Sequence, residues 1–131
     1  MQPFFKGFGA AIAWAIIIFA LCTIHLGSVT SNPLFFAGFD KLVHCGMFFV
    51  LVVLLGFGLL VQSRLNGNMI MPLVLSTFLT IGYGGIIELL QHYLFTWRSG
   101  EWADLFADAV GAFMGLFSFL VIFKALNYVK K

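Results

Sequence analysis

Four apolar stretches, each long enough to cross a bilayer as a helix, take up nearly the whole of this chain. They run from about Gly7 to Leu26, Leu42 to Val61, Ile70 to Phe95 and Ala103 to Phe123. A hydrocarbon core of roughly 30 Å needs ~20 helical residues, so each stretch is read as one span. The expected fold is all-α: an integral membrane bundle of four transmembrane helices forming a single domain over residues 1–131. The composition agrees, with 62% hydrophobic residues, 9% charged residues and 17 Phe, far from the range of soluble domains. A net charge of +2, scattered along the chain, gives no footprint for nucleic acid.

Turn-forming residues separate the stretches. Ser28, Thr30, Ser31, Asn32 and Pro33 lie in the segment from Gly27 to Phe39; Asn66-Gly67 lies in Gln62 to Asn68; the third connection runs from Thr96 to Trp102. There is no internal repeat, low-complexity tract or heptad register. The first stretch is expected to be a retained helix, because its apolar run exceeds that of a signal peptide and no A-x-A-like site follows it. The large Leu21 before Cys22 argues against a lipoprotein cleavage site.

Basic residues give an expected orientation. With four spans, Lys6, Arg64, Lys124, Lys130 and Lys131 fall on one side, and Lys41 and Arg98 on the other. Five against two places both termini in the cytoplasm. Trp97, Trp102 and Tyr93 then mark the outer interface as an aromatic belt. Cys22 and Cys45 lie at similar depth, but buried free cysteine is a common apolar filler, and two free thiols are expected.

All five carboxylates of the chain (Asp40, Glu88, Glu101, Asp104 and Asp108) fall at the outer end in this layout. Asp40/His44, Glu88/His92 and Asp104/Asp108 are spaced i,i+4, so the members of each pair share a helix face. Ionisable groups in a membrane are costly and are tolerated where they face protein or a watery cavity, which points to a polar pocket. Gly111 and Gly115 continue the Asp104/Asp108 face of the fourth helix and form a G-x-x-x-G, a spacing that allows close helix approach in lipid. Gly84 and Gly85 stand one turn before Glu88 on the third, with Gln91, His92 and Phe95 extending that stripe, so these two faces are expected to meet. A homodimer through such a motif stays open.

Taken in order, these polar residues resemble the VanZ-like family. Asp40-Lys41-x-x-His44 opens the second helix, Glu88-x-x-Gln91 stands near the end of the third, Arg98 lies in the short outer connection, and Asp104-x-x-x-Asp108-x-x-Gly111-x-x-x-Gly115 occupies the fourth. The resemblance covers essentially the whole chain. It implies a multi-pass protein of the bacterial cytoplasmic membrane, in a family whose namesake is associated with reduced susceptibility to teicoplanin and which carries no settled biochemical activity. Asp108 departs from the pattern, since the family usually has Asn there, and His92 lies outside it.

The outer end holds five acids against Lys41 and Arg98, a formal charge of −3 with neutral histidines. Lys41 and Arg98 suit a lipid phosphate, Arg as a planar fork, only where the carboxylates are protonated, turned away or bridged by a cation. Desolvation and crowding both oppose ionising all of them. The preferred reading is a pocket at the outer leaflet that binds or moves a lipid-linked or amphiphilic cell-envelope molecule. Asp40, Lys41, His44, Glu88, Gln91, Arg98, Asp104 and Asp108 would line it, Arg98 and Lys41 on the head group and Asp104, Glu88 and Gln91 holding the frame. Two alternatives are a small structural subunit of a membrane complex and a metal-assisted hydrolase or transferase acting on a lipid head group, for which carboxylates with His would suit Mg²⁺, Mn²⁺ or Zn²⁺. No nucleophile elbow or H-E-x-x-H supports the enzyme.

Single residues also have plainer readings. Asp40 doubles as a helix N-cap; Asp104 and Arg98 suit each other as an ion pair; His44 fits a satisfied buried histidine as well as a metal ligand. Glu88, the deepest acid, is the strongest functional candidate. His25 and Glu101 read as interface or loop residues, Met47, Met69, Met71 and Met114 as filler, and Lys124, Lys130 and Lys131 as topology determinants near anionic lipid.

Overall fold

The computed structural model describes residues 2–24, 38–62, 69–95 and 100–129, leaving aside the side chains of 2–5 and 127. These form four helices, α1 (Gln2–Thr23), α2 (Phe39–Gln62), α3 (Ile70–Leu94) and α4 (Trp102–Val129). Each contains a window long and apolar enough to cross a membrane. The bounds differ from the sequence expectation mainly at ends: α1 starts five residues earlier than Gly7, α4 runs on past Phe123 to Val129, and α2 begins at Phe39 rather than Leu42.

The start of α2 corrects one expectation. Gly38 adopts φ 88°, a left-handed conformation that glycine takes without steric cost. Its carbonyl accepts the first helical bond, from Leu42 N at 3.1 Å. Gly38 therefore holds the capping position, and Asp40 sits inside the first turn, where its charge complements the helix dipole rather than capping it. Pro72 lies in the first turn of α3, the one helical place where a missing N–H costs nothing.

The second helix is central. It packs on all three others, most extensively on α4, whereas α1 and α4 do not meet among the described residues. Close contact with α4 follows from the small residues there: a side chain at Gly111 would run into the Cys45 carbonyl, and one at Gly115 into Val52 and, at 2.9 Å, the Phe49 carbonyl. The two faces expected to meet do so where Asp108 comes against Gly84 of α3, while Gly111 and Gly115, further along the same face of α4, lie against α2.

A core of Ile18, Cys22, Met47, Phe48, Leu51 and Ile87 fills the space between α1, α2 and α3, with Trp14, Ala15 and Tyr83 against it. Polar side chains stitch the same helices together through main-chain oxygens. Trp14 Nε1 donates to Met47 O at 2.9 Å, Tyr83 Oη to Ala15 O at 2.7 Å, and Gln91 Nε2 to Cys22 O at 2.8 Å. Cys22 lies in the last turn of α1, whose carbonyls have no intrahelical donor. Cys22 and Cys45 are not joined in a disulfide. Large apolar side chains cover the outside, Phe78 and Phe117 each 68% exposed.

Candidate functional site

Chain direction brings the start of α2, the end of α3 and the start of α4 to one end of the bundle, and with them all five carboxylates. The described residues there separate into two clusters of different character.

The outer cluster is organised by Lys41. Its ammonium reaches Asp40 Oδ2 at 2.7 Å, Glu101 Oε2 at 2.9 Å and Asp104 Oδ1 at 2.7 Å. Lysine has three donors, and all three are taken. Asp40 and Glu101 are exposed, while Asp104 is buried. Asp40 and Asp104 lie in the first turns of α2 and α4, where a negative charge is stabilised by the positive helix end. This cluster is largely self-satisfied, and its acids have structural reasons to stand where they do.

Deeper in, the balance changes. His44 of α2, Glu88 of α3 and Asp108 of α4 are 3%, 7% and 1% exposed, and one donor atom from each lies within 4.8 Å of the other two. His44 Nδ1 and Asp108 Oδ1 are hydrogen-bonded at 2.8 Å. The His44 ring lies nearly parallel to that of Phe48, one turn on. Glu88 Oε2 accepts the backbone N–H of Glu101 at 2.9 Å, which fixes that carboxylate. Three buried oxygens in this neighbourhood, Glu88 Oε1, Asp108 Oδ2 and Gln91 Oε1, have no hydrogen-bond partner among the described residues. Gly84 gives Asp108 its room, since a Cβ there would stand 2.7 Å from Asp108 Oδ2.

Glu101 is a site residue that the sequence reading placed in the loop class. Its carbonyl accepts the N–H groups of Asp104 and Leu105, at 3.0 Å and 3.3 Å, so it starts α4 while its own N–H goes to Glu88 and its carboxylate to Lys41. Nothing in residue spacing signals that triple use; the short connection from α3 creates it. His92, by contrast, is exposed and edge-on to Tyr93, away from the buried trio. Arg98, expected on a head group or paired with Asp104, lies outside the described residues, as do His25, Arg64, Trp97, Lys130 and Lys131. Among the described residues Asp104 pairs with Lys41.

Comparison with known protein families, with characterised proteins and with solved structures finds no match to the chain.

Chemically, the inner trio offers one imidazole and two carboxylates with lone pairs free, held on three different helices. Such a set can hold a proton, accept from a donor-bearing ligand or coordinate a cation.

Proposed function

We propose that the chain is a VanZ-like multi-pass protein of a bacterial cytoplasmic membrane, with both termini in the cytoplasm. Its polar pocket at the outer leaflet binds or moves a lipid-linked or amphiphilic cell-envelope molecule. Four apolar helices with outward-facing Phe78 and Phe117 support the membrane setting, because soluble monomers rarely expose contiguous apolar surface of this kind.

One observation carries the pocket: Glu88 and Asp108, both buried, each keep an oxygen without a partner among the described residues. A buried acceptor left without a partner costs about 1–3 kcal/mol. A purely architectural network has no reason to keep two of them in one buried cluster. The bonds from Trp14, Tyr83 and Gln91 to main-chain oxygens of neighbouring helices already tie α1 to α2 and α3. Among the described residues the unpaired inner oxygens make no bond of that kind, and a ligand is the simplest account of them. Lys41 serves as counter-charge to three acids, which leaves Arg98 as the basic residue for an anionic head group.

The test is a comparison of co-purifying lipids by mass spectrometry for the wild type, Glu88→Gln and Arg98→Gln, each extracted from the same host membranes. An amphiphile should be enriched about tenfold over both variants, the ratio given by ~1.4 kcal/mol of affinity, with equal amounts of assembled protein. Identical lipid profiles in all three would overturn the pocket. Loss of assembled protein in both variants would point to a structural network instead.

A further inference from the structure

We infer that His44, Glu88 and Asp108 form a binding site for one divalent transition-metal cation of the Mn²⁺ or Zn²⁺ class. The site stands on its own geometry, whether or not the pocket takes an amphiphile. Three observations carry it. First, each of three helices contributes one donor, and one donor atom of each residue lies within 4.8 Å of those of the other two. Ligands about 2.1 Å from a metal stand roughly 3.0–3.4 Å apart, so His44 Nδ1 and Asp108 Oδ1, at 2.8 Å, need to part by only a few tenths of an ångström to share an ion. Second, Glu88 and Asp108 are more than nine-tenths buried, and each keeps one oxygen without a partner among the described residues. Third, the remaining oxygen of Glu88 is held by the Glu101 N–H, the kind of support that orients a ligating carboxylate.

Charge gives the same answer. A divalent ion with neutral His44 and ionised Glu88 and Asp108 sums to zero, whereas two ionised carboxylates buried beside a neutral imidazole leave an uncompensated −2. One imidazole with two carboxylates suits Mn²⁺ or Zn²⁺, while Ca²⁺ takes six to eight oxygens. Three protein ligands leave coordination positions open for an exogenous oxygen. The second acidic group, Asp40, Glu101 and Asp104, also brings its oxygens close together, but Lys41 already occupies its centre. It therefore serves as the internal control.

The test uses the full chain in detergent micelles, stripped with EDTA, and titrated with MnCl₂ while the electron paramagnetic resonance signal of free Mn²⁺ is followed. One Mn²⁺ per chain should bind and show ¹⁴N coupling from a single imidazole, with ZnCl₂ displacing it. His44→Gln should abolish the coupling, Glu88→Gln should weaken binding by more than about 100-fold, and Glu101→Gln, which removes only the outer carboxylate and keeps the supporting N–H, should weaken it less than about tenfold. Because the ¹⁴N signal is read on the wild type, misfolding of a variant does not blunt the result. Absence of stoichiometric binding, binding without ¹⁴N coupling, or displacement by CaCl₂ in preference to ZnCl₂ would each overturn the site. Metal binding without lipid enrichment would sink the amphiphile reading and leave this one standing; the reverse result would do the opposite.

Discussion

At the scale of single residues, the buried His44–Asp108 contact is the most exposed to loss. His44→Ala leaves the Asp108 carboxylate, 1% exposed, without its imidazole partner, and a buried acceptor stripped of its hydrogen bond costs about 1–3 kcal/mol. Reversible unfolding in mixed micelles should show that loss, whereas Lys124→Ala, on an exposed stretch of α4, should stay within about 0.5 kcal/mol. An equal response to both would mean that the pair does not hold the helices. Asp108→Asn should be the mildest of the acidic replacements, within about 1 kcal/mol, since its carbonyl oxygen can still accept from His44 while the buried charge disappears. Lys41→Gln should lower the melting temperature more than Glu101→Gln does, because one ammonium serves three carboxylates. A larger fall for Glu101→Gln would show that Lys41 is not the centre of the outer cluster.

At the scale of elements, glycines divide by what faces them. Nothing lies within 4 Å of a Cβ built on Gly82, while one on Gly111 meets the Cys45 backbone. Gly82→Ala should therefore stabilise α3 by up to ~1 kcal/mol through helix propensity. Gly111→Ala should destabilise by about 1–3 kcal/mol through overpacking. Opposite signs in the same unfolding assay would confirm that α4 rides directly on α2, and equal signs would refute it. This contrast also marks how far the sequence could be read. The i,i+4 rule puts Gly111 and Gly115 on one face with Asp104 and Asp108, and Asp108 does reach Gly84 on α3. A helix face is about 100° wide, however, and can serve two neighbours at once: the glycines go to α2. Periodicity shows which residues point together, not what they point at. The four helices were legible because each is one long apolar run bounded by turn-forming residues. Glu101 was not, because its part in the site depends on where α4 begins relative to Glu88, and that is fixed only when α3 and α4 pack together.

At the scale of the whole molecule, the expected topology has its own check. In a background lacking Cys22 and Cys45, single cysteines at positions 31 and 99 should react with an impermeant thiol reagent in intact cells, and one at position 66 should not. Labelling at 66 alone would put the clustered acids on the cytoplasmic side and transfer the whole pocket to the inner leaflet. The asymmetry of the fold makes this matter: every carboxylate is at one end, so inverting the chain changes which compartment the site can sample.

The helix-to-helix bonds that end on main-chain oxygens have a consequence for the history such a protein can have. Trp14, Tyr83 and Gln91 need only a carbonyl at the right height, and every residue type supplies one, so the residues at Met47, Ala15 and Cys22 can drift without breaking the bonds they receive. His44 with Asp108 is different, since each side chain sees the other. Among descendants of one ancestor, paired substitutions should therefore link positions 44 and 108 and leave 14 and 47, 15 and 83, and 22 and 91 uncoupled. Methods that infer contacts from correlated change would find the site and miss much of the scaffold that holds it.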